Sequence, residues 1–182
     1  MKHLGTKTLE TEVAIEEREI LANLLEKYLY EFSQYDGCDV NKLGLYGYKY
    51  LDCYWLEDKR WAYFIEVDGK LAGFVMVNGV SEADDRETDY SVAEFFVMVK
   101  YRRQGIGKRA FFMTADLHRG RWQLKRHPKN KGSVYFWDKA VDEYTKGKYE
   151  LVKSYPNTEY ADGTPGDIFF FDNSQLDKNE VK

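Results

Sequence analysis

The stretch of sequence that decides the fold is Val97-Met98-Val99-Lys100-Tyr101-Arg102-Arg103-Gln104-Gly105-Ile106-Gly107-Lys108-Arg109. The segment that leads into it, residues 92–99, is rich in β-branched and aromatic side chains and predicts a buried strand. After the glycines, apolar residues recur at helical spacing and predict a helix. They are Ile106, Ala110, Met113 and Leu117. The glycines therefore lie where a strand passes into a helix N-terminus, whose free N–H groups and dipole suit an anion such as phosphate.

The spacing of the two glycines distinguishes three kinds of phosphate loop. A Walker loop requires four residues between its glycines and a Ser or Thr after the lysine, whereas one residue separates Gly105 from Gly107. A dinucleotide-binding loop requires a third glycine, where Ala110 stands, and an acidic residue about 20 positions further on. The pattern that remains, Arg102-x-x-Gly105-x-Gly107 after a hydrophobic strand, resembles the acyl-CoA pyrophosphate loop of the GNAT superfamily of N-acetyltransferases. The alternative is that the glycines only relieve a tight turn and the arginines are solvated.

This resemblance implies that acetyl-CoA is the acyl donor and that the quoted stretch binds it. The end of the strand would bond the pantetheine arm, and a backbone N–H at Val97 or Val99 would polarise the thioester carbonyl. The cofactor contacts expected here are Phe96, Val97, Met98, Val99, Arg102, Arg103, Gln104, Gly105, Ile106, Gly107 and Lys108.

A second motif of the same family is matched by Asn130-Lys131-Gly132-Ser133-Val134-Tyr135-Phe136-Trp137. The family pattern is Asn-x-x-Ala-x-x-Phe/Leu-Tyr, so Asn130, Phe136 and Trp137 are expected at the cofactor. Trp137 replaces the tyrosine that often protonates the departing thiolate, and an indole has no accessible proton to give. Tyr135, another tyrosine or solvent would then supply that proton. Packing of Trp137 in the core is an equally good interpretation.

Glu94 is the candidate general base. It interrupts an otherwise apolar strand, and burial there would raise its pKa towards a value useful for taking a proton from an amine. The resemblance adds weight, because GNAT enzymes often carry a catalytic glutamate on this strand. The alternative is an edge-strand carboxylate that faces solvent or pairs with an arginine.

Composition excludes several other classes of protein. The chain has 182 residues, of which 43% are hydrophobic and 16% aromatic, as expected of one globular domain. A net charge of −4 argues against a nucleic-acid binder, while 11 Lys or Arg residues against one carboxylate in residues 100–131 suggest a small anionic ligand. Two cysteines and three histidines without ligand spacing predict no disulfide framework and no metal site. The absence of any membrane-length apolar segment or signal peptide predicts a cytoplasmic protein without a membrane partner.

The order of elements predicts a single α/β (α+β) domain over residues 1–182, with a mixed, mostly antiparallel sheet of six to seven strands flanked by helices. It agrees with the GNAT-like fold that the resemblance implies. A frayed polar tail is expected from about residue 173. The predicted strands cover residues 9–15, 61–67, 70–80, 92–99, 122–125, 149–154 and 167–171, and the predicted helices cover residues 16–35 and 130–144 and a segment opening at the glycines.

The function expected from the resemblance is direct transfer of an acetyl group from acetyl-CoA to a primary amine of a small molecule or a protein. The acidic loop of residues 81–89 favours a cationic amine, although such loops are often simply solvated. Six aromatic residues would line the acceptor pocket or pack in the core. They are Tyr46, Tyr48, Tyr50, Tyr54, Trp55 and Trp61. The competing hypothesis is a catalytically weak or inactive CoA-binding module with the same fold. The sequence is compatible with either a monomer or a homodimer.

Overall fold

The computed structural model of the chain describes residues 8–83 and 85–176. Seven strands are present: β1 Thr8–Glu12, β2 Arg60–Val67, β3 Lys70–Asn78, β4 Tyr90–Val97, β5 Arg121–Arg126, β6 Glu150–Val152 and β7 Asp167–Asp172. Four α-helices accompany them: α1 Arg18–Asp36, α2 Cys53–Leu56, α3 Ile106–Leu117 and α4 Lys131–Thr145. Among these helices, none in the described ranges is long and apolar enough to span a bilayer.

The strands form one sheet in the order β1-β2-β3-β4-β5-β7-β6. Neighbouring strands run antiparallel except β4 and β5, which are parallel. The connection between those two strands is α3, as a parallel crossover requires. The prediction of a mixed, mostly antiparallel sheet flanked by helices is confirmed.

Apolar residues on the two faces of the sheet form two separate cores. On one face, α1 contributes Leu21 and Leu25, which pack with Phe74 and Phe96 of the sheet. On the other face, α3 and α4 contribute residues such as Phe111, which pack against β3, β4, β5 and β7. The sheet is thus covered on both sides.

The parallel strands β4 and β5 separate part of the way along their length. Their register contains three residue pairs, Tyr90 with Trp122, Ser91 with Gln123 and Val92 with Leu124. Yet β4 continues to Val97 and β5 to Arg126. The second half of β4 therefore borders a cleft rather than a neighbouring strand.

Gly73 allows β3 and β4 to approach closely beside this cleft. A Cβ atom on Gly73 would lie 1.9 Å from the carbonyl oxygen of Phe96, a distance that no side chain could occupy. The glycine follows a bulge in the pairing of β2 with β3, between Ile65 and Glu66. The close contact fixes the position of β4 at its cleft-lining end.

Several predicted boundaries differ from the structure by one to three residues. The strand expected over residues 92–99 begins at Tyr90 and ends at Val97, because the next residues turn into a short 3₁₀ segment, Val99–Tyr101. The strand expected over residues 9–15 ends at Glu12, and another 3₁₀ turn follows.

The frayed tail does not begin at residue 173. Asn173 is fully buried, because its side-chain amide donates to the carbonyl oxygens of Ala115 and His118 at the end of α3. Leu176 packs against the core. Residues 177–182 of the predicted tail lie outside the described residues.

Candidate active site

The glycine turn opens α3 with its amides directed out of the helix. Gly105 is the N-cap, with a left-handed φ of 77°, and the backbone of Arg103 is left-handed too, with φ 58°. The first helical hydrogen bond runs from Arg109 N to Gly105 O, 3.0 Å apart, so the amides of residues 106–108 have no acceptor within the helix. The side chain of Ile106 is buried and anchors the turn. This arrangement has the backbone geometry of an anion cradle, the name used below for the turn, and anion binding by it stays a prediction.

Gly107 permits the first turn of α3 to pack against two other elements. A Cβ atom here would lie 3.3 Å from the ring of Phe136 on α4 and 3.4 Å from Cγ2 of Val97 on β4. Glycine thus brings the helix N-terminus next to the end of β4 and the start of α4.

Three polar side chains expected at the phosphates are bonded to protein groups. Arg102 Nε donates to Val97 O and its Nη2 to Oε2 of Glu31 on α1, each at 2.6 Å. Lys108 is held by a carboxylate of α4, and Gln104 donates to a carbonyl of the same turn. Arg103 is exposed to solvent. In this structure the backbone amides, more than these side chains, form the cradle.

The four residues expected at the pantetheine arm point in different directions. Phe96 faces α1, where its ring lies 6.1 Å from that of Tyr28. Val97 faces α3 and α4. The amide of Met98 donates to a carbonyl of β3 at 2.8 Å, and Val99 is 69% exposed in the turn.

The second motif is divided between the cleft and the core. Asn130 caps α4 by accepting a hydrogen bond from Ser133 N at 3.0 Å, and the ring of Phe136 stacks on Phe95 of β4 at 5.6 Å. Trp137 is buried between the rings of three other aromatic residues, so the structure places it in the core rather than on a cofactor wall. Tyr135 is 69% exposed, because the inward side of α4 is taken by its neighbours.

A β-bulge determines which way Glu94 faces. Met76 pairs with Glu94, but the next residue of β3, Val77, pairs with Val92, so Ala93 is an extra residue in β4. The extra residue shifts the alternation of side chains by one position. Glu94 consequently lies on the α1 side of the sheet, beside Met76, at the point where β4 and β5 separate.

The surroundings of Glu94 give its carboxyl group a raised pKa. Removal from water raises the pKa to about 7, while the hydroxyls of Tyr28 and Tyr48 oppose the rise by interacting with the charged form. More distant charges on Glu82 and Lys125 act in opposite directions. The residue as a whole is partly buried. Glu94 is therefore a carboxyl that can exchange a proton near neutral pH.

Aromatic rings from three elements wall the space near Glu94. Phe32 of α1 lies 5.7 Å from the ring of Tyr160, which comes from the connection between β6 and β7. Tyr160 also contacts the ring of His127 at 4.5 Å. The ammonium of Lys125 lies 4.6 Å from the centre of the Tyr160 ring and 2.9 Å from Glu82.

Sequence reasoning found only part of this wall. From the predicted aromatic cluster, Tyr48 and Tyr54 lie near Glu94, whereas Trp61 contacts Tyr90 and His118 elsewhere. The residues that were not predicted for the site are Tyr28, Phe32, His127 and Tyr160. Tyr28 and Phe32 carried one usable signal, because they follow Ile20 and Leu24 at four-residue spacing and so share one apolar face of the first helix.

The described carboxylates of the acidic loop, residues 81–89, are hydrogen-bonded to neighbouring side chains. Asp84 lies outside the described residues. The other four carboxylates are bonded as follows: Glu82 to Lys125, Asp85 to the hydroxyl of Tyr155, and Glu87 and Asp89 to Arg121. The preference for a cationic acceptor stays a prediction. Within the described chain, His, Cys, Asp and Glu side chains form no group of three that could hold a metal ion.

The cleft combines an anion cradle with a titratable carboxyl along one strand. Glu94 and Val97 are three residues apart on β4, about 10 Å. A ligand with a phosphate at the start of α3 could extend along the unpaired half of β4 and bring its far end to Glu94. The arrangement suits group transfer from a long phosphorylated carrier.

Comparison with known proteins identifies relatives of this fold. Residues 22–141 match the model of the acetyltransferase (GNAT) family. A GNAT-family acetyltransferase from Streptococcus agalactiae superposes with a TM-score of 0.66 at 16% identity, over 91% of this chain and 95% of that one. A mutant of the spermidine N-acetyltransferase SpeG from Vibrio cholerae gives 0.62 at 8% identity, over 92% and 95%.

A third structure was solved with a bound ligand. The PaiA N-acetyltransferase from Thermoplasma acidophilum, in complex with coenzyme A, gives a TM-score of 0.56 at 11% identity, over 91% of this chain and 99% of that one. No curated protein sequence matches the chain. At these identities the superpositions establish the fold.

Proposed function

Because this chain belongs to the GNAT family of acetyltransferases, we propose that it moves an acetyl group directly from acetyl-CoA to a primary amine, with Glu94 as the general base. The observation that carries the proposal is the environment of Glu94. Burial raises the pKa of its carboxyl to about 7, and the residue, which is partly buried as a whole, lies where β4 leaves β5. Such a group can take a proton from an ammonium at neutral pH.

The residues of the cradle fit the phosphates of acetyl-CoA. The amides of residues 106–108 lack helical acceptors, and the space beside Gly107 would be filled by any side chain. Phe136 and the cleft-lining backbone of β4 would flank the pantetheine arm. When bound, acetyl-CoA supplies an acyl group activated as a thioester.

Glu94 would prepare the acceptor. An alkylammonium has a pKa near that of lysine, so it must lose a proton before its nitrogen can attack. The ionised carboxylate accepts that proton and becomes neutral, a form that its surroundings tolerate well. Tyr28 and Tyr48 would hold the carboxylate between turnovers. Tyr135 remains a predicted proton donor to the departing thiolate, and an unchanged kcat in Tyr135→Phe would leave that role to another tyrosine or to solvent.

One observation favours the second candidate, a CoA-binding module without turnover. Trp137 stands in the core at the position where the family often has a catalytic tyrosine. The module would bind acetyl-CoA but release no CoA when amines are added.

Two measurements test the proposal. A thermal-shift titration should show stabilisation by acetyl-CoA, about 2.7 kcal/mol at 100 times the dissociation constant. A thiol assay with a panel of amines should show CoA release that Glu94→Gln reduces by about a hundredfold or more. Binding without release would support the non-catalytic module, and no stabilisation would refute both functions.

A further inference from the structure

An apolar groove runs beside β4, between α1 and the loop of residues 38–47. Its volume is about 570 Å³, which lies within the range of small-molecule sites. Apolar atoms make up most of its lining, which includes Tyr30, Val40, Leu45, Tyr46, Phe96 and Met98. Several of these side chains are exposed, Tyr30 at 70% and Leu45 at 45%. The groove is open to solvent and has the surface character of a site for an apolar group.

The groove lies further along the face of β4 on which Glu94 stands, and Glu94 itself is not one of its lining residues. Side chains two residues apart on a strand lie on one face about 7 Å from each other, so Phe96 is the next after Glu94. Phe96 lines the groove, and its ring contacts Tyr28, whose hydroxyl interacts with the Glu94 carboxyl. A molecule with its nitrogen at Glu94 would find the groove as the adjoining space.

The carboxylates that border this region already have partners. Glu26 accepts hydrogen bonds from the amides of Tyr46 and Gly47, both at 2.8 Å. Glu31 accepts from Arg102 at 2.6 Å, and Glu82 from Lys125 at 2.9 Å.

These pairings leave Glu94 as the acid that a substrate ammonium could use without displacing a cation or a backbone amide. Lys27 and Lys100 also line the groove. They offset the charges of Glu26 and Glu31, which line it too, so a second positive charge on the acceptor would gain no net attraction there.

We infer that the acceptor is a monoamine with an apolar body, alkyl or aryl, whose nitrogen reaches Glu94 and whose body lies in the groove. This inference rests on the proposed function, because it names the acceptor of the same site. It disfavours polyamines as preferred acceptors, since their second ammonium would lose water in a mostly apolar groove whose two carboxylates, Glu26 and Glu31, already accept hydrogen bonds.

A matched pair of amines tests the inference. Octylamine and 1,8-diaminooctane have the same chain and differ by one terminal ammonium, and propylamine is too short to fill the groove. We expect kcat/KM for octylamine to exceed those for 1,8-diaminooctane and propylamine by at least about tenfold each. Equal or faster reaction of the diamine would overturn the inference while leaving acetyl transfer intact.

Two leucines of one loop supply a variant and its control. Leu45 lines the groove, whereas Leu43 is 82% exposed and is not among the lining residues. Leu45→Glu should lower kcat/KM for octylamine by about tenfold and leave propylamine within twofold, and Leu43→Glu should change neither. Equal effects of both substitutions, or no effect of Leu45→Glu, would refute the groove assignment. If no amine releases CoA from the wild-type protein, the proposed function itself fails.

Discussion

Arg102 of the anion cradle and Glu31 of α1 form an ion pair across the cleft, with 2.6 Å between Nη2 and Oε2. The same guanidinium donates to the carbonyl oxygen of Val97 and lies over the ring of Phe96. Arg102 thus links the expected phosphate site to the helix that borders the acceptor groove. Its side chain must leave Glu31 before it can turn towards a phosphate.

Removing the carboxylate of Glu31 should therefore strengthen CoA binding. In Glu31→Gln we expect the dissociation constant of CoA to fall by about threefold, because Arg102 loses its competing partner. The two side chains are 40% and 34% exposed, so the free energy of unfolding should change by less than about 1 kcal/mol. Isothermal titration calorimetry measures the affinity, with the exposed Glu19→Gln as control. An unchanged dissociation constant would mean that Arg102 does not contact the phosphates.

The pH dependence of turnover should report Glu94. Its pKa of about 7 means that kcat/KM rises from pH 6 to pH 8 as the carboxylate forms. Glu94→Gln should lose the activity by about a hundredfold at pH 8 and flatten this limb of the profile. A variant that keeps the same rise would show that another group titrates.

The same substitution should stabilise the protein at alkaline pH. The folded-state pKa of Glu94 is raised above its ordinary value of 4.5, so ionisation costs stability that accumulates as pH rises from about 4.5 to 7. Glu94→Gln avoids that cost, and urea unfolding at pH 8.5 should show a gain of about 1 to 3 kcal/mol. The gain should shrink towards pH 5. Equal stability of both proteins at pH 8.5 would mean that the carboxylate is well solvated.

Gly73 should tolerate no side chain. Gly73→Ala places a Cβ atom 1.9 Å from the Phe96 carbonyl oxygen, so β3 and β4 must move apart, at a cost of more than about 3 kcal/mol. Gly69→Ala is the control, because its left-handed turn has open space around it and should cost about 1 kcal/mol. Denaturant unfolding compares the two variants, and similar losses would contradict the close approach of the strands.

His118 should make stability fall in weak acid. Burial lowers its pKa to about 4, and its Nε2 lies 2.8 Å from the hydroxyl of Tyr63. The folded state therefore disfavours the protonated ring, and this contribution, up to about 3 kcal/mol, is lost as pH falls from 6.5 to 4. His118→Gln should show a shallower decline than the parent protein over that range. Identical slopes would assign the decline to other groups.

Local sequence patterns predicted the glycine turn before α3. Contacts between residues that are distant in sequence determine which side chains surround Glu94. The glycines and the apolar period of α3 are neighbours in sequence, so the turn and the start of the helix at Ile106 could be predicted correctly. The bulge at Ala93 leaves no mark in composition, yet it decides the face on which Glu94 lies. Tyr160 lies more than 60 residues after Glu94, in the connection between β6 and β7, and interacts with it electrostatically. No local sequence pattern predicts that the two residues are close.

Polar residues at the end of the chain misled the prediction for a related reason. Asn173 was expected in a frayed tail because amides usually prefer solvent. In the structure the Asn173 amide satisfies two carbonyl oxygens that the end of α3 leaves without helical donors. The need for these hydrogen-bond donors arises at the end of α3, so it cannot be predicted from residues 173–182 themselves.

The short register between β4 and β5 gives the sheet a seam. Strands β1 to β4 form one block and strands β5 to β7 another, and three residue pairs join them. On one face, α3 and α4 pack against strands of both blocks, so a single core spans the seam and holds the two blocks at a fixed angle. The gap beside Glu94 is therefore kept open by the packing of these helices rather than by strand pairing.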